Sequence, residues 1–186
     1  MKIPALIIGV LLSGAVFSDA AFSDAALAQS PYAGMQNRPV KALSEQQIAD
    51  LKAGRGMGLA LPAELNGYPG PSHLLELADR LELSASQRSL IKQLFDSMKA
   101  EAVPVGEKLI AQETMLDQQF ASRSITPDRL KSATAEIGAT QAELRNTHLK
   151  YHLETVQILS AQQMQQYATL RGYGGDASHQ HHHHAR

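Results

Sequence analysis

Two histidines four residues apart, His148 and His152, stand in the run "THLKYHLETVQILSAQQ" (Thr147–Gln163). Imidazoles at i and i+4 of a helix share one face, and both can reach one ion, at about 2.0–2.1 Å for zinc. Glu154, two positions further on, points to another side of such a helix, so the pattern His-x-x-x-His-x-Glu does not describe a single site. The same chemistry returns at the end of the sequence, where His179, His181, His182, His183 and His184 supply five imidazoles within six residues. Borderline divalent cations bind such a set readily, and protons compete with them below the imidazole pKa of ~6.5. The chain has no cysteine, which excludes a thiolate metal site and a cysteine nucleophile. It carries no G-x-S-x-G elbow, no H-E-x-x-H and no dinucleotide loop, so neither an enzyme nor an organic cofactor is expected.

The elements that must position these side chains read as helices throughout. Ser44 and Gln47 form a capping box for a short helix, and the sequence "GRGMGLALPAELNGYPGP" that follows reads as a Gly-rich loop with about one helical turn. Pro71 suits the first turn of the helix "PSHLLELADRL". Leu83, Ser84 and Gln87 in "LSASQ" repeat the capping logic, and apolar or small residues follow at three-and-four spacing from Ile91 through Met98, Ala102 and Leu109 to Phe120. That seam predicts a long helix, bent at Pro104 where a backbone donor is missing. Thr126, Pro127 and Asp128 start a second long helix, from Pro127 to about Leu159, roughly 50 Å in length. Its stripe runs from Leu130 through Ile137, Thr140, Leu144 and Tyr151 to Ile158, with His148 in line with Leu130 and His152 about 40° further round, on the edge. Leu159, Ser160 and Gln163 then open a last helix that ends at Arg171, before Gly172.

The fold expected is all-α: an antiparallel hairpin of two long helices, about four helices in all over residues 71–173, with the shorter ones folded against its open end. Residues 29–70 are expected to be a leader with a short helix and the Gly-rich loop, polar and poorly ordered over 29–43. Residues 174–186 are expected to be a disordered His-rich tail. So thin a body predicts a homodimer. Folding the hairpin about residue 124 sets His152 opposite Asp96 and His148 near Ala100. Asp96, Met98 and Glu101 thereby become candidate ligands, with His73 reaching the same end from the preceding helix.

The N-terminus, with Lys2, an apolar run and Ala26-Leu27-Ala28, has the form of a cleaved signal peptide over residues 1–28. Its apolar run is shorter than the ~20 residues of a spanning helix, and no later segment is apolar enough to span. Without Lys2, Asp19 and Asp24, the totals of 17 basic and 18 acidic side chains fall to 16 of each. A net charge of zero gives no electrostatic case for nucleic acid or anionic lipid.

"LELSASQ" and "ILSAQQMQQY" resemble the paired Leu-Thr-x-x-Gln motifs of the periplasmic LTxxQ family, over about Pro71 to Tyr173. Serine stands here where the family usually has threonine, and the second motif lacks the common proline. The family comprises Spy- and CpxP-like stress proteins and periplasmic heavy-metal sensor and resistance proteins. The resemblance implies a hooked antiparallel helical hairpin, usually dimeric, in the periplasm. One branch holds unfolded clients as an ATP-independent chaperone; others bind zinc, nickel, cobalt or copper and serve envelope-stress or metal-resistance signalling. In the metal sensors, early-helix histidines, a carboxylate in the first long helix and a late histidine build the site. His73, Asp96 and His152 fall about one position from those places, and Leu77 stands near where a second early histidine is expected. The function so implied is a metal-responsive envelope-stress protein with a possible signalling partner; the alternative is a Spy-like chaperone for unfolded clients.

Overall fold

Three serine–glutamine boxes set where helices begin. Ser44, Ser84 and Ser160 each accept from the backbone N–H three residues on, and Gln47, Gln87 and Gln163 each return a bond to the cap backbone. Each box satisfies two of the N–H groups that a helix start leaves orphaned. The computed structural model describes residues 30–173, so the expected signal peptide (1–28) and the tail with His179, His181, His182, His183 and His184 lie outside the described residues.

The described residues are helical, with no strand among them. After a single 3-10 turn at Met35–Asn37 come α1 (Glu45–Lys52), α2 (Leu61–Glu64), α3 (Pro71–Glu76), α4 (Ala85–Ala121), α5 (Pro127–Val156) and α6 (Ala161–Leu170). Four of these fall within 71–173, and α2 is the one helical turn expected in the Gly-rich loop. None of the described helices is long and apolar enough to cross a membrane. α5 begins as its sequence predicts, with Thr126 capping Arg129 N–H and Pro127 in the first turn.

The two long helices pack along each other. Tyr151 meets Glu101, and Lys108 meets Glu143, so late residues of α5 lie beside early residues of α4. One apolar cluster fills the middle of the pair, where Ala102 and Leu109 of α4 meet Ile137 and Leu144 of α5 and Leu51 of α1. A second joins α3, the start of α4 and α6 through Leu74, Leu81, Ile91 and Tyr167.

Two expectations need correction. The 29–43 segment is not merely a polar leader: Val40 and Leu43 are buried in the first cluster, because three-residue spacing on a turn points both inward. α4 runs on through Pro104 as one continuous helix. The seam also frays towards the α4–α5 turn, where Phe120 is 53% and Leu130 37% exposed. The segment before α1 reaches that end through Lys41, which pairs with Asp117 at 3.2 Å, but leaves Phe120 and Leu130 open to solvent.

Close approach of α1 to α4 depends on Gly106, since a Cβ there would sit 2.7 Å from the Leu51 carbonyl oxygen. Backbone cannot move aside as a side-chain tip can, so Gly106→Ala should lower stability by about 1–3 kcal/mol despite its better helix propensity. Gly138 in α5 meets nothing within 4 Å of its Cβ position. Gly138→Ala should therefore raise stability by about 1 kcal/mol. Urea unfolding of the two variants checks both signs.

Candidate functional site

A buried carboxylate collects the chain around itself. Glu64, at the end of α2, is 4% exposed. Tyr167 of α6 donates its hydroxyl to Oε1, and the Tyr173 hydroxyl donates to the same oxygen at 3.3 Å. The Gly70 N–H donates to Oε2 at 3.3 Å. His73 Nδ1 stands 3.3 Å and Arg171 Nε 3.4 Å from Oε1, both at ion-pair distance. Neither nitrogen is aligned for a hydrogen bond. Burial opposes the charge on Glu64, yet His73, Tyr167 and Gly70 outweigh it and hold its pKa down to about 2. Burial and the bond to Glu64 push the Tyr167 hydroxyl the other way, well above its usual range, so it remains a donor.

The loop that follows Glu64 is held against α5. His152 Nδ1 lies 2.6 Å from the Tyr68 carbonyl oxygen. A carbonyl only accepts, so that nitrogen carries the proton. The Thr155 hydroxyl donates to the Pro69 carbonyl. Gly70 lies so near the His152 ring that a Cβ would come within 2.8 Å of Nε2 and Cε1. His152 is thus 7% exposed and His148 3% exposed, so His152 lies inside the packed face rather than at the edge expected for it. The 56–70 loop closes over that face, which helical periodicity alone does not reveal.

His148 differs from its neighbour. Its Nδ1 edge packs over Gly56, where a Cβ would come 3.4 Å from the nitrogen. Its Nε2 is buried without a hydrogen-bond partner among the described residues. Burial first, and the charge of His152 second, push its pKa below the ordinary imidazole value. At neutral pH it is therefore an uncharged imidazole.

His73, His148 and His152 line one cleft of about 240 Å³, together with Glu64, Met57 and Met98. Of the ligands expected from sequence, three histidines and Met98 arrive. Asp96 does not. Its carboxylate pairs with Lys92 at 2.6 Å, and its side chain is 57% exposed. Asp96 precedes the buried Met98 by two residues, about 200° around the helix, and so faces solvent. Glu101 is likewise engaged elsewhere, with Tyr151 at 2.8 Å and Lys150 at 2.5 Å. The carboxylate at the cleft is Glu64, which the sequence reading missed; its one sequence cue was an acidic side chain between Pro62 and Pro69 with apolar neighbours. Among the described residues, no three His, Asp or Glu side chains are placed to hold one metal ion.

The motif residues do a second job. Gln87 Nε2 donates to Gln163 Oε1 at 2.9 Å, and Gln163 Nε2 donates to Gln87 Oε1 at 3.1 Å. Gln87 also donates to the Ile158 carbonyl at 2.9 Å, and Gln163 to the Leu81 carbonyl at 3.3 Å. Leu83 is buried and Leu159 partly buried in the second cluster, which lies beside this clasp. No family model, no curated protein and no solved structure matches the chain.

The Glu64 pKa is lowered in the fold from 4.5 to about 2. Its contribution is therefore complete above pH ~4.5 and is lost as pH falls through about 2, on the order of 3 kcal/mol in total. In Glu64→Gln the unfolding free energy should be lower at neutral pH and flatter over that acid window than in the parent. Denaturant titrations at a series of pH values measure both.

Proposed function

We propose that this protein is an exported, periplasmic metal-responsive stress protein of the LTxxQ type, binding transition-metal ions and acting without catalysis. The observation that carries this reading is His148: a buried, uncharged imidazole whose Nε2 has no partner among the described residues, in a cleft that also receives His73 and His152. Leaving such a nitrogen unpaired costs about 1–3 kcal/mol, and a bound ion would recover it. The paired Ser-x-x-Gln motifs support the family assignment, and the packing of α4 along α5 supports its hooked antiparallel hairpin. The tail histidines His179, His181, His182, His183 and His184 add a second binding segment for zinc, nickel, cobalt or copper. Pairing of two chains would cover Phe120 and Leu130 at the exposed turn, and a homodimer is accordingly part of the reading. An envelope signalling protein is its partner of choice.

Calorimetric titration of the mature chain with zinc, nickel and copper tests this. Heat is expected in the parent and is partly retained when the five tail histidines are replaced by glutamine. Binding at the cleft should persist to lower pH than binding at the tail, because His148 takes up a proton less readily than an ordinary imidazole. A parent chain that gives no heat with any of the three metals refutes the reading.

Exposed apolar side chains on the long helices, Leu90, Met115, Phe120 and Leu153, favour a second reading, a chaperone that holds unfolded clients. It predicts suppression of aggregation of a denatured client at stoichiometric ratio. No suppression, with or without metal, removes it.

A further inference from the structure

We infer that the cleft selects a soft monovalent ion, copper(I) or silver(I), over the divalent cations that suit the tail. This deepens the metal-binding reading above and rests on it. The donors that remain uncommitted at the cleft decide the matter. Glu64 is spent: Oε1 receives two tyrosine hydroxyls and faces His73 and Arg171, while Oε2 receives the Gly70 N–H. His152 gives its Nδ1–H to the Tyr68 carbonyl, which leaves Nε2 with its lone pair, beside Gly70. Beside the part-exposed ring of His73, what is left is neutral: Nε2 of His148, Nε2 of His152, and Met98 and Met57, which line the same cleft.

A divalent ion of the zinc type asks for three or four nitrogen or carboxylate ligands. No three His, Asp or Glu side chains are so placed among the described residues. A soft d10 monovalent ion accepts two or three donors and favours sulfur with imidazole. Charge argues the same way. With the carboxylate already paired, an ion in the cleft meets no free anion, and a single positive charge costs less to bury than a double one.

The backbone at Met57 is a separate pointer. Met57 holds φ 44, the left-handed region that a side chain seldom adopts, and Gly58 beside it holds φ 82. Such conformations persist where surrounding structure enforces them, often around a ligand. This one brings a thioether to the loop that lies over His148, through Gly56.

The test uses the full mature chain with the five tail histidines replaced by glutamine. Copper(I) is titrated without oxygen against a coloured copper(I) chelator, silver(I) serves as a redox-inert second probe, and zinc is titrated separately. One copper(I) per chain is expected, weakened at least about 100-fold in Met98→Leu and His148→Gln. Zinc should bind far more weakly. Because either variant could unfold, the unsubstituted site is also read directly. In chains labelled at the methionine methyl carbon, silver(I) should shift the Met57 and Met98 resonances and leave Met35, Met115 and Met164 in place. If zinc binds and copper(I) and silver(I) do not, the inference fails while the metal-binding reading survives. If no ion binds this chain but zinc binds the parent, the cleft is not a metal site and the tail alone carries the reading. If neither chain binds any of these ions, both fall.

Discussion

An ionised carboxylate removed from water is costly unless its lone pairs are met, and Glu64 makes the fold meet them. Its partners come from α3, from the loop at Gly70, from α6 and from the residues just after it. α3 and α6 also meet in the second apolar cluster, whereas α2 spans only four residues. Breaking such a node by removing one member leaves an uncompensated charge, worth roughly 3–5 kcal/mol. The node therefore holds the loop in place, and the loop in turn shuts the cleft over His148 and His152. The geometry at the histidines thus depends on a carboxylate whose own oxygens are already paired.

The two glutamines show how a local signal becomes a tertiary one. Each closes a capping box with an oxygen that accepts its serine's backbone N–H, leaving the amide NH2 to reach outward. The outward amides then find each other and two turn carbonyls, those of Ile158 after α5 and Leu81 after α3. Thus the start of α4 and the start of α6 are pinned together, 76 residues apart in sequence. A glutamate could close either box, but two carboxylates could not make the reciprocal pair, since neither has a proton to donate. The physical demand is for an amide, at both places.

What could be read from the chain beforehand follows the range of the forces involved. Ser84 with Gln87, Ser160 with Gln163, and Thr126 with Pro127 act over three residues or fewer, and their helices begin where they say. The buried run Ile137, Thr140, Leu144 and Tyr151 follows from helical period alone. Asp96 went astray because opposing two helices by arithmetic fixes height but not azimuth, and two residues from Met98 is nearly the far side. Glu64 was out of reach for another reason. Tyr167 is 103 residues away, and no periodicity or motif connects them. Val40 and Leu43 were missed likewise, since two apolar residues in a polar stretch announce nothing until α4 and α5 supply a wall.

The spacing of His148 and His152 suggests equals, two arms of one clamp, but the packing makes them unlike. One turn of helix separates them, and within that turn the covering backbone changes from Gly56 to Gly70. Over His152 it offers a carbonyl and takes the proton of Nδ1 as a tie. Over His148 it offers only a glycine, and one nitrogen keeps its lone pair or proton without a partner among the described residues. A helix face that must hold a loop and also bind an ion can divide the tasks between successive turns. The first imidazole needs a rigid roof to remain dry and uncharged, and the second supplies that roof by anchoring the loop. On this argument the two imidazoles work together in the packing: one ties the loop down through Nδ1, and the other is kept uncharged beneath it.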